Sequence, residues 1–153
     1  MIYLKLLRPK DWAKNLFLYI PLFFAGEIFN WIKVFHVFEG FVAFCCIASS
    51  IYIINDYTDK EDDKKHPEKR NRPIASGAVS PTVALTIFAI LVVAGFVTAY
   101  FINSRFLFLL ALYFFLNIGY SFGLKNIPIL DIFIIAIGFA LRVRSGGNIA
   151  KVD

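Results

Sequence analysis

The sequence predicts an all-α fold, a polytopic bundle of about five transmembrane helices, and three observations carry that reading. The 153 residues are 59% hydrophobic and 18% aromatic, eighteen of them Phe, which is far more apolar than a soluble domain of this length requires. Apolar runs approaching the 20 or so residues that cross the hydrocarbon core recur at roughly 16–30, 37–54, 79–102, 105–122 and 129–149. The charges between those runs are gathered into a few short segments, most of all residues 55–73. Neither a repeat nor a low-complexity linker divides the chain, so residues 1–153 read as a single membrane domain with one long charged loop.

The elements follow in order. Lys5, Arg8, Lys10 and Lys14 precede the first run, with no small-residue cleavage site after a short apolar stretch, so that run is expected to be retained rather than removed as a leader. Pro21 and Glu27 weaken it as a span, although proline is tolerated where neighbouring helices satisfy the freed carbonyl. The second, third and fourth runs are strong. The fifth carries Arg142 and Arg144. An arginine inside a span costs at least a few kcal/mol, so Arg142 should face a polar cavity, where an anionic lipid phosphate or a diphosphate would partner it.

Cations set the expected orientation, because Lys and Arg in short loops stay on the cytoplasmic side. The N-terminal segment carries four, the 55–73 loop six and the 123–128 connection Lys125, whereas the 31–36 and 103–105 connections carry only Lys33 and Arg105. The N-terminus and the charged loop are therefore expected to be cytoplasmic in a plasma-membrane protein. The net charge of +5 suits basic loops beside an anionic inner leaflet and gives no case for nucleic acid. Cys45 and Cys46 are adjacent within an apolar helix, about 100° apart on it, and read as small packing residues rather than a disulfide or metal pair.

The loop "NDYTDKEDDKKHPEKRNRP" holds six of the chain's eleven carboxylates and six of its sixteen cations, with the acids first. Asn55, Asp56, Asp59 and Asp63 fall at i, i+1, i+4 and i+8, which lines them along one side of a helix continuing past the membrane. Carboxylates so close repel one another unless a cation lies among them. Mg²⁺ suits that need, since it prefers one or two carboxylates plus waters and substrate phosphates. The cations behind them, Lys69, Arg70 and Arg72 among them, match phosphate oxygens. A loop that only fixed topology would need the bases alone.

"RPKDWAKN" at 8–15 alternates cations with Trp12 and reads equally as an interfacial anchor or a phosphate contact, while "YSFGLKNIPILD" at 120–131 offers Lys125 to the same surface. Together these segments carry a resemblance. "NDYTDKEDD" resembles the first aspartate-rich motif, NDxxDxxxD, of the UbiA superfamily of intramembrane prenyltransferases. "RPKDWAKN…PLFFAG", "HPEKRNRPIASG" and "YSFGLK…D…GFALR" are similar to its decaprenyl-phosphate phosphoribosyltransferase branch.

The resemblance implies helices around a central cavity, with aspartate motifs binding Mg²⁺ and a diphosphate. It implies that Asn55, Asp56, Asp59 and Asp63 hold metal and diphosphate, that Asp56, Asp59 and Asp63 are catalytic, and that Lys14, Lys69, Arg70, Arg72, Tyr120, Lys125 and Arg142 bind substrate. The implied reaction moves phosphoribose from phosphoribosyl pyrophosphate to a polyprenyl phosphate. Prenyl transfer from a polyprenyl diphosphate to an aromatic acceptor is the alternative, disfavoured by the dense cations at 69–72. A transporter would need ionisable residues in several helices, and only Arg142 qualifies.

The family has nine helices and a second aspartate motif, whereas residues 74–153 contain no DxxxD, with Asp131 alone and Asp153 terminal. The expectation is half a metal site, completed by a C-terminal half or an oligomer partner. The isolated chain is then inactive, or serves as a non-catalytic half-protein.

Overall fold

The computed structural model describes residues 1–152; Asp153 lies outside the described residues. A short helix, α1 (Ile2–Leu7), turns at Arg8 into a 3₁₀ segment, Pro9–Tyr19, which continues as α2 (Ile20–Phe24). Then come α3 (Trp31–Thr58), α4 (Lys60–Lys65), α5 (Pro81–Ile102), α6 (Ser104–Ser121) and α7 (Leu130–Ala150). Among the described residues all the regular structure is helical.

Four helices, α3, α5, α6 and α7, are long and apolar enough to cross a membrane, and they match four of the expected spans. The first expected span, 16–30, is not one continuous α-helix. Pro21 has no N–H to offer the carbonyl of Phe17, which accepts instead from Ile20 in a tighter 3₁₀ turn. The chain leaves the helix at Ala25 and turns at Gly26, whose φ of +72° suits a residue without a Cβ.

Side-chain caps fix the other starts. Asn30 accepts from the Lys33 amide, Ser80 from Val83 with Pro81 in the first turn, and Asn103 from Phe106 at 2.8 Å. Asn103 is the whole connection between α5 and α6, so the two must run antiparallel. α3 is the central post of the bundle: 67% of its most apolar stretch is buried, against 11% for α5. The exposed Ile90, Phe101, Phe108, Phe115 and Ile132 form the outer apolar surface that a bilayer would cover.

The core gathers on α3. Phe44 packs against Phe106 and Tyr113 of α6 at ring-centroid distances of 5.9 and 5.2 Å, and both Phe residues are fully buried. Small residues set the close approaches, as in membrane bundles generally. Gly146 of α7 lies against the backbone of Leu18, and Gly95 of α5 against Ile47 of α3. The first contact draws the 3₁₀ segment into the bundle beside α7. Cys45 and Cys46 are free thiols, the former buried in the core, in keeping with their reading as packing residues.

Candidate active site at the end of the central helix

α3 ends at Thr58 and α4 begins at Lys60, with Asp59 between them still in the right-handed helical region (φ −91°, ψ 0°) and bonded through its amide to the Asn55 carbonyl. The aspartates of the loop differ in the cations they meet. Asp56 and Asp63 face inward, 1% and 3% exposed, and Arg72 joins them, its Nη1 donating to Asp56 Oδ1 at 3.1 Å and to Asp63 Oδ2 at 2.8 Å. Arg8, at the turn after α1, donates to the same Asp56 oxygen at 2.6 Å and lies 5.0 Å over the Tyr52 ring. Asp59 pairs instead with Lys125 from the 3₁₀ turn after α6, and accepts from Asn55 Nδ2 at 3.3 Å. Three segments far apart in sequence therefore meet at the end of α3.

The loop that carries Arg72 back is held by His66, whose Nδ1 accepts from the amides of Glu68 and Lys69 at 3.2 and 3.3 Å. Asp59, Asp62, Asp63, His66, Lys69, Tyr120, Lys125 and Asn126 line a cavity of about 380 Å³ at this end of the bundle. Arg70 points to solvent. So does Asp62, which shares the cavity without the burial of Asp63. Glu61 is also outside the cluster, and its hydrogen bond from Lys64 holds its carboxyl below the usual glutamate range.

Among the described residues no three Asp, Glu, His or Cys side chains converge tightly enough to cage a metal. The arrangement fits a different mode of binding. The second oxygen of Asp56 is buried with no hydrogen-bond partner, an uncommon and costly condition for a carboxylate, and Asp63 is held beside it by the shared guanidinium. Two carboxylates with a spare ligand oxygen are what Mg²⁺ uses when substrate phosphates and water complete its shell.

A second polar group lies deeper. Arg142, 6% exposed, donates from Nε to Asn15 Oδ1 at 2.9 Å and from Nη2 to the Tyr113 hydroxyl at 2.8 Å. Its guanidinium stands 4.8 Å from the Tyr113 ring centroid and 5.4 Å from that of Phe139. Arg142 thus does face a cavity, which Lys14 also lines. Lys14 bonds Asp11 at 2.7 Å, and that bond raises its pKa. Arg144, two residues on, is exposed and turns to another cavity with Arg105.

The sequence reading missed Asn15, Tyr113 and the structural part of Arg8. An Asn or Tyr in an apolar run carries no pattern, and only the fold shows that each meets Arg142.

The sequence pattern of the UbiA prenyltransferase family matches residues 16–150. The chain belongs to the UbiA prenyltransferase family. It is 39% identical over 153 residues to the decaprenyl-phosphate phosphoribosyltransferase of Mycolicibacterium smegmatis, covering 97% of this chain and 48% of that protein. It is 36% identical over 154 residues to the enzyme of the same name from Corynebacterium glutamicum, with 98% and 46% covered. The chain spans about half the length of the curated relatives it matches. Among solved structures, a UbiA homolog from Archaeoglobus fulgidus bound to GPP and Mg²⁺ superposes with a TM-score of 0.85 at 23% identity, covering all of this chain and 55% of that one. At that identity the likeness speaks for the fold. The UbiA fold of this chain is thus a multi-pass membrane bundle.

Proposed function

We propose that this UbiA-family chain provides the metal and diphosphate side of an intramembrane transferase, which moves phosphoribose from phosphoribosyl pyrophosphate to a polyprenyl phosphate. The observation that carries the reading is the pair of buried aspartates, Asp56 and Asp63, sharing Arg72 with one Asp56 oxygen left without a partner. The identities to decaprenyl-phosphate phosphoribosyltransferases support the choice of donor and acceptor.

In this reading Asp56 and Asp63, with Asp59 and Asn55 beside them, would hold Mg²⁺, whose chemistry is to neutralise charge developing on the leaving diphosphate. The bond from ribose C1 to the diphosphate oxygen breaks as the bond from C1 to a lipid phosphate oxygen forms. Diphosphate leaves with the electron pair. The lipid phosphate is already ionised near neutral pH, so no strong base is needed. Lys69, Arg72 and Lys125 stand around the acidic cavity or its aspartates and would meet phosphate oxygens, stabilising negative charge as it builds. Tyr120, on the same wall, would orient the sugar phosphate. Arg70, being exposed, would steer the anionic substrate rather than bind it. The N-terminus and the 55–73 loop would face the cytoplasm from the plasma membrane, and a second acidic set would come from a C-terminal half or an oligomer partner.

The test is Mg²⁺-dependent binding to the chain in lipid nanodiscs, with phosphoribosyl pyrophosphate and geranyl diphosphate in competition. Tighter phosphoribosyl pyrophosphate, lost in Asp63→Asn, is expected. Preference for geranyl diphosphate would overturn the donor assignment and favour prenyl transfer. Turnover by the purified chain alone would refute the need for a second acidic set.

A further inference from the structure

We propose that the cavity between the 3₁₀ segment, α3, α6 and α7 is a separate seat for the phosphate of a lipid monoester, with Arg142 and Lys14 as its two cations. The inference rests on the proposed transferase reading for which substrate arrives there, and it adds that the two phosphate-bearing substrates use different pockets. The cavity, about 180 Å³, is lined by Lys14, Tyr52, Tyr113, Asn117 and Arg142, with Ile134, Ile135 and Phe139 on its apolar side. It shares no lining residue with the aspartate cavity.

The charge balance inside it is unusual. Arg142 is buried in α7, twelve residues past Leu130, about 18 Å along the helix axis. All its partners are neutral: Asn15, Tyr113 and the faces of Phe44, Tyr113 and Phe139. No carboxylate lines the cavity. A buried guanidinium normally has an acid beside it, because desolvated charge is costly without a counterion. Here Nη1 makes no hydrogen bond among the described residues, while Nε and Nη2 are fixed by Asn15 and Tyr113. The fork is held rigid with one donor nitrogen uncommitted.

Lys14 supplies the second charge. Its side chain is half exposed and bonds Asp11, so it stands at the entrance, whereas Arg142 is at the back. Two cations, one of them already offset by Asp11 in part, match a phosphomonoester, which carries about −1.5 to −2 near neutral pH, better than a diester with a single charge. The wall of Ile134, Ile135 and Phe139 suits the hydrocarbon next to that phosphate, and the exposed Ile132, Phe133 and Ile135 of α7 continue the apolar surface outward. An amphiphile with a dianionic head is the ligand that satisfies both sides.

The experiment titrates farnesyl phosphate into the full chain in phosphatidylcholine nanodiscs without divalent metal, read by ³¹P NMR and calorimetry. Metal-free binding is expected, weakened at least tenfold in Arg142→Gln and several-fold in Lys14→Gln, partly restored in Arg142→Lys, and unchanged in Asp63→Asn. Farnesyl methyl phosphate and inorganic phosphate should each bind at least tenfold more weakly. Binding that needs Mg²⁺, or that falls in Asp63→Asn but not in Lys14→Gln, would overturn the separate pocket. Lys14 is peripheral, so that result does not depend on how Arg142 variants fold. Equal binding of inorganic phosphate would overturn the amphiphile, and tighter binding of lysophosphatidic acid would overturn a polyprenyl acceptor in favour of a bilayer lipid. Phosphoribosyl pyrophosphate with Mg²⁺ is titrated in parallel: if it fails to bind while farnesyl phosphate binds as described, the transferase reading fails and the lipid seat stands.

Discussion

Gly146 joins the packing of the bundle to its buried arginine, and Gly146→Ala should damage both. A Cβ built there would lie 2.6 Å from the carbonyl carbon of Leu18 and 2.9 Å from its Cα, where carbon atoms prefer about 3.5–4.0 Å. The atoms in the way are backbone, so no rotamer change relieves the overlap, and the 3₁₀ segment must withdraw by about 1 Å. Asn15 rides on that segment and Arg142 sits one turn before Gly146 on α7. Their 2.9 Å hydrogen bond would then stretch past the ~3.5 Å at which such a bond ceases to count. Overpacking costs about 1–3 kcal/mol, and losing a hydrogen bond to a charged group adds about 1.5–3. With about 2–4 °C per kcal/mol for a chain of this size, thermal unfolding in detergent should fall by roughly 10 °C. Gly40→Ala is the internal control, since its Cβ would meet mainly the flexible end of the Ile149 side chain, which can turn away. Equal melting shifts for the two variants, or a Gly146→Ala protein that melts like the wild type, would refute the argument that backbone contact sets the position of Asn15.

Other expectations follow from the same geometry. Arg72→Met leaves Asp56 and Asp63 buried with only Arg8 nearby, and should lower stability by about 3 kcal/mol in denaturant unfolding; an unchanged midpoint would show that the pair is not held by that guanidinium. Calorimetric Mg²⁺ affinity in the presence of diphosphate should drop in Asp63→Asn and hold in Asp62→Asn, because only Asp63 is buried beside Asp56, and equal losses would contradict that division. Glu61 should titrate below the ordinary glutamate value by NMR, and Lys64→Met should return it upward, since the Lys64 hydrogen bond is the leading cause. A carboxyl lowered in the folded state adds stability above its unfolded pKa and loses it as the pH falls through the folded value; a midpoint insensitive to Lys64 would refute the assignment.

Much of the fold was legible because a bilayer imposes a simple pattern. Four apolar runs of the right length became α3, α5, α6 and α7, and the aspartate motif lies where α3 emerges. Pro21 marked the first run as a weak span, but its hydrogen-bonding consequence was not legible: the Phe17 carbonyl, which Pro21 cannot serve, accepts from Ile20 at the end of a 3₁₀ segment. Along the aspartate segment the backbone stays right-handed through Asp59, whose carbonyl accepts from the Asp63 amide at 2.8 Å. What spacing along the helix does not encode is the partner of each acid: Asp63 meets Arg72 as the loop folds back, and Asp59 meets Lys125. Arg142 was visible as a charge in an apolar run, but its partners Asn15 and Tyr113 come from segments 127 and 29 residues away.

The mixed sign of the 55–73 loop acquires a physical reason from these contacts. Without a metal, acids packed at the end of α3 would repel one another, and the loop's own Arg72, with Arg8 and Lys125 from other segments, holds each of Asp56, Asp59 and Asp63 in place. Those cations therefore hold the carboxylates in place before any substrate is present, so little reorganisation is required when charge develops nearby. In the proposed function Asp56 and Asp63 would hold a divalent cation that offsets part of their charge, and Arg72 and Lys125 would meet phosphate oxygens at the same place. A loop of acids alone would have to be ordered by the metal itself, and a loop of bases alone would have nothing to hold the metal. The order of charges along residues 55–73 places three acids and one of their counterions, Arg72, on one stretch of chain, while Arg8 and Lys125 come to it from either side in sequence.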